Sequence, residues 1–198
     1  MPDKPDLAAL LGSRICHDLI SPIGAISNGV ELLMMDGAVR GPEMALVSES
    51  VASATARIRF FRVGFGAASP DQRIGRSEVT GILGDVMRGG RLSVDWQSPS
   101  DLSRRAVKLA FLLIQCLETG MPYGGKITVA VSDGRWTIAG QTQKLRIDPD
   151  LWEVLSNPAA QTTIGPAQVH FLLAAHEAAM QGLRLTADIR EQDVRLSF

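Results

Sequence analysis

The chain has 198 residues, enough for one large domain or two small ones, and 45% of them are apolar against 21% charged. That balance builds a core and argues against wholesale disorder. The formal net charge is −1, with arginines scattered rather than massed, so no polybasic tract exists to neutralise a nucleic-acid backbone. No apolar run approaches the roughly 18 residues of a membrane span, and residues 1–6 are polar, without a signal-peptide pattern. The expectation is a soluble, cytoplasmic protein with no membrane or nucleic-acid partner. Cys16 and Cys116 lie far apart without zinc-type spacing and read as two buried thiols in a reducing compartment.

The first third reads as helix, turn, helix. A first helix is expected over about 6–35, with Asp6 as N-cap. At about 100° per residue, Leu11, Ile15, Leu19, Ile26, Val30 and Leu33 fall in one apolar stripe. Asp36-Gly37 ends this helix, the glycine suiting a left-handed position after the C-cap. A second helix is expected over about 42–65, with Met44, Val47, Val51, Ala54, Ile58 and Phe61 recurring at spacings of three and four. The pair makes an antiparallel hairpin. A lone hairpin cannot bury both stripes well, so the stripes pack either on a second copy, completing a four-helix bundle in a homodimer, or on the rest of the same chain.

Gly64, Gly66, Ser69 and Pro70 mark a linker, dividing the chain into 1–70 and 76–198. Beyond it the patterns alternate. Ser77 caps a helix over 78–88, stopped by Gly89-Gly90. Leu92, Val94 and Trp96 alternate as a half-buried strand. A strongly apolar helix over 103–119 follows, then Ile127, Val129 and Val131 as a strand, Ser132-Asp133-Gly134 as a hairpin turn, and Trp136 and Ile138 on the partner strand. A short helix or turn is expected over 148–155 and a helix over 166–181, ended by Gly182. Leu183, Leu185, Ala187 and Ile189 suggest one final strand, and Val194, Leu196 and Phe198 the other. About five strands with three helices make an α+β chain whose second part is an α/β sandwich. Trp96, Trp136 and Trp152 read as packing residues.

The stretch that carries chemistry is Ser13-Arg14-Ile15-Cys16-His17-Asp18-Leu19-Ile20-Ser21-Pro22-Ile23. His17 lies about 200° from the Ile15 stripe and is expected to face solvent. Ser13, Ser21 and Gly24 share its face and are small enough to let another protein approach. Leu10 and Ile20 flank them as an apolar docking surface, and Arg14 joins the expected partner-binding set. An exposed neutral imidazole is a good nucleophile for phosphoryl transfer. Asp18 is placed to orient or deprotonate it along the ring edge. Pro22 removes a backbone donor and is expected to bend the helix just beyond the histidine.

His-Asp-Leu-x-Ser-Pro within an amphipathic helix resembles the H-box of sensor histidine kinases, H-[DE]-L-[RK]-[TN]-P, with Ile20 in place of the usual basic residue and Ser21 in place of Thr or Asn. Gly124-Gly125-Lys126-Ile127-Thr128-Val129-Ala130-Val131 looks like the strand after the kinase N-box, and Gly165-Pro166-Ala167-Gln168-Val169 like the start of the helix after the second glycine box. The nucleotide chemistry is missing. The N-box asparagines fall on about Leu112 and Cys116, neither an oxygen ligand for magnesium. The adenine-reading D-x-G-x-G is reduced to Ala139-Gly140-Gln141, and a single glycine, Gly165, remains where the phosphate lid has several.

A kept kinase fold with a lost ATP site resembles the ChpT-type bacterial histidine phosphotransferases. The resemblance implies a homodimer with a helical-hairpin bundle and a degenerate kinase-like sandwich. It also implies a relay: the phosphorylated receiver domain of a hybrid histidine kinase passes phosphate to His17, and His17 passes it to the aspartate of a response-regulator receiver domain. Asp18 and Pro22 are carried over as motif neighbours. The chain would need no cofactor of its own, with Mg2+ held in the partner's receiver domain. Two alternatives stay open: a divergent active kinase, for which Gln115 and Glu118 are the polar candidates on the 103–119 helix, and a non-catalytic kinase-docking regulator. His170 and His176 share a helix face poorly and make no metal pair. Arg57, Arg59 and Arg62 end the second helix near the level of His17, placed either for the helix C-terminus or for an acidic receiver.

Overall fold

The computed structural model describes residues 7–35, 41–157, 160 and 162–198; within the helices it leaves the side chains of residues 7–11, 13, 14, 17, 18 and 43 undescribed. The chain divides into two compact units, Met1–Ala67 and Ala68–Phe198. The expected cap Asp6 and the expected stop Asp36-Gly37 lie outside the described residues.

The first unit is a hairpin of α1 (Leu7–Met35) and α2 (Pro42–Gly64). Pro42 opens α2, where a missing N–H costs nothing. α1 runs through Pro22 without a break in its helical assignment. The described residues of α1 that are buried or half-buried are Gly12, Cys16, Ile20, Ile23, Gly24, Ser27 and Val30, mostly three or four apart. On α2 Met44, Ser48, Val51, Ala54, Thr55 and Ile58 are half-buried, and Ala56, Phe60, Val63 and Gly64 are buried. These two series form the seam between the helices. The seam differs from the expected stripes. Ile15 (50% exposed), Leu19 (45%), Ile26 (49%) and Leu33 (46%) lie open within the single chain, as do Val47 and Phe61 on α2; of the α1 stripe, Val30 is buried. Four large apolar residues of the α1 stripe are thus left open within the single chain, while Phe60 and Val63 of α2 are buried.

The second unit is built on a five-stranded sheet of β2 (Leu92–Gln97), β4 (Gly125–Ser132), β5 (Arg135–Gln141), β7 (Asp193–Ser197) and β6 (Thr186–Ile189), in that order. β2 runs parallel to β4, as the crossover through helix α4 (Arg104–Gly120) requires; the other pairs are antiparallel. Asp133 (φ 52°) and Gly134 (φ 77°) take the two positive-φ positions of the tight turn joining β4 to β5. The final strand is shorter than its alternation suggests: Leu183 and Leu185 precede β6.

A second, two-stranded sheet was not legible from periodicity. β1 (Arg73–Gly75) pairs antiparallel with β3 (Asp101–Ser103). It corrects the expected cap of the next helix. α3 (Arg76–Met87) begins directly after β1 with Gly75 as N-cap and no side-chain capping bond, and Ser77 sits inside its first turn. Strand pairing fixes residues 73–75 as extended, and the carbonyl of Ser100 accepts from the Arg76 amide at 2.9 Å, which satisfies a donor a serine cap would otherwise serve.

α4 is the centre of the core, with Val107, Leu109, Phe111, Leu112, Leu113, Ile114 and Leu117 fully buried. Trp96 meets Phe111 and Trp136 edge-on, and Trp136 stacks on Phe198 at 5.7 Å. Trp152, on α5 (Pro149–Glu153), packs edge-on against Phe171 of α6 (Val169–Met180). Asp148 caps α5 by accepting from the Leu151 amide. Lys108 of α4 and Glu177 of α6, both buried, pair at 2.9 Å, and Arg105 and Gln181 complete the clasp. Among the described residues no helix is long and apolar enough to cross a membrane.

Candidate functional site

The H-box lies in the first half of α1, and the hairpin seam sets its surroundings. A Cβ built on Gly12 would stand 3.1 Å from the carbonyl oxygen of Phe65, just after the end of α2. This approach fixes the antiparallel register. One turn further along α1, Cys16 is buried: burial pushes the Cys16 thiol up, and the positive charge of Arg62 opposes that shift. Further along the hairpin, Ile20, Ile23, Ser27 and Val30 of α1 and Ser48, Val51, Thr55 and Ile58 of α2 are buried or half-buried.

Position 17 follows Cys16, so it occupies a flank of α1 about 100° from the seam. Leu10, Ser13, Arg14, His17 and Asp18 all belong to α1, but their side chains lie outside the described residues. Of the remaining expected site residues, Ser21 and Pro22 are exposed, Gly24 has nothing within 4 Å of the place a Cβ would take, and Ile20 is half-buried at the seam. The flank beyond position 17 is thus small and open. Arg57, Arg59 and Arg62 are all exposed.

In the second unit the positions of the kinase nucleotide residues carry different chemistry. Leu112 and Cys116 are completely buried in the α4 core, and Cys116 is held firmly as a thiol by that burial. Gln115 is buried and its Nε2 has no hydrogen-bond partner among the described residues, whereas Glu118 is exposed. Its neighbour Thr119 places Oγ1 at 3.0 Å from Nε2 of His170, a buried imidazole whose pKa desolvation lowers to about 4. In β5, the place a Cβ would take on Gly140 is met by Sδ of Met121 at 2.6 Å and Cδ2 of Leu117 at 3.2 Å. The space beside the adenine-reading motif is filled by the protein's own side chains. An open cavity of about 720 Å3 lies at the end of β5, lined by Tyr123, Gln141, Thr142 and Asp193 among others, with the Lys144 ammonium 5.5 Å from the centre of the Tyr123 ring.

A helical hairpin bearing an H-box, followed by an α/β sandwich of the histidine-kinase type, defines a protein of two-component signalling architecture. Residues 76–193 match the family described as histidine phosphotransferase C-terminal domain. A protein phosphotransferase ChpT from Brucella abortus (strain 2308) is 36% identical over 185 residues, 89% of this chain and 88% of that protein. The chain belongs to the ChpT-type histidine phosphotransferase family, and its role is that of a phosphotransferase. A solved structure of a bacterial phosphotransferase superposes with a TM-score of 0.68 at 29% identity, covering 100% of this chain and 97% of the other. Full-length ShkA in complex with AMPPNP shares the fold, with a TM-score of 0.50 at 14% identity over 95% of this chain and 44% of that one.

Proposed function

We propose that the chain is the middle carrier of a phosphorelay, with His17 as the phosphorylated residue. The receiver domain of a hybrid histidine kinase donates phosphate from its aspartate, and a response-regulator receiver accepts it. The observation that carries this reading is the H-box on a helix flank bordered by the small, open positions Ser21 and Gly24, where a receiver can reach position 17. Asp18 holds the imidazole, and the receiver brings the Mg2+ and most of the charge stabilisation.

The second unit takes no ATP in this reading. Buried Leu112 and Cys116 supply no oxygen to magnesium, and Leu117 and Met121 fill the space against Gly140. The exposed row Ile15, Leu19, Ile26 and Leu33 supports a homodimer, since burying such a row on a second copy removes apolar surface from water and completes a four-helix bundle. The test is passage of label. A donor receiver is phosphorylated, freed of kinase and ATP, and mixed with this chain and an acceptor receiver. Label reaches the acceptor through the wild-type chain and not through His17→Gln; equal passage through both would end the proposal.

A further inference from the structure

We draw no further inference here: the strongest candidate, the apolar stripe that Val169, Leu172 and Met180 leave exposed along α6, is an unpartnered helix face, and nothing in the structure shows what covers it.

Discussion

The Cβ absent from Gly12 would stand 3.1 Å from the carbonyl oxygen of Phe65, so the two helices approach here through backbone rather than through side chains. Backbone cannot yield as a flexible side chain can. Gly12→Val is therefore expected to push α1 off its register near the H-box and to destabilise the chain by about 1–3 kcal/mol. Urea unfolding followed by helical circular dichroism checks the stability, and the transfer rate should fall with it, since the helix that carries the H-box would be displaced.

The buried pair Lys108–Glu177, at 2.9 Å, clasps α4 to α6. Lys108→Met strands the Glu177 carboxylate in part, leaving it the Arg105 guanidinium at 3.6 Å and the Gln181 amide, and should cost about 1–3 kcal/mol, below the full penalty of an unpaired buried charge. Adding Glu177→Leu removes the stranded charge, so the double variant should regain most of that loss. A double-mutant cycle on chemical denaturation midpoints reads both effects.

Burial lowers the pKa of His170 from its ordinary 6.5 to about 4. Its neutral form is favoured in the folded protein, so between those values the unfolded chain binds more protons. The stability this contributes is present above about pH 6.5 and is lost as pH falls toward 4. Denaturation midpoints at pH 7 and pH 4.5 should differ less in His170→Gln than in wild type. An unchanged difference would mean that other groups carry the acid sensitivity.

The exposed row on α1 makes the oligomeric state testable. Sedimentation is expected to give a dimer for wild type. Ile26→Asp, which places a charge in the row and leaves the seam residues Ile23, Ser27 and Val30 intact, should give a folded monomer. A wild-type monomer would require another partner for this row.

Much of the fold is legible because its elements are long or strongly patterned. α4 announces itself by continuous apolar content, the β4–β5 hairpin by Asp133-Gly134, and α1 and α2 by length. The pattern left open which partner covers which face. The hairpin closes over Cys16, Ile20, Ile23, Ser27 and Val30, while the apolar row at Ile15, expected to need a further partner, lies outward within the single chain. Periodicity reports which faces are apolar, not which partner covers each. The three-residue strands β1 and β3 are too short to show a period, and their pairing displaced the cap expected at Ser77. The H-box could be read directly from residues 17–22.

The central claim is that phosphate rides on position 17. The most direct measurement takes this chain after exposure to a phosphorylated receiver, isolates it without acid, and maps the modification by mass spectrometry. The account predicts one phosphoryl group on His17, stable in base and lost in acid. Phosphate on another residue, or a modification that survives acid and is lost in base, would contradict it.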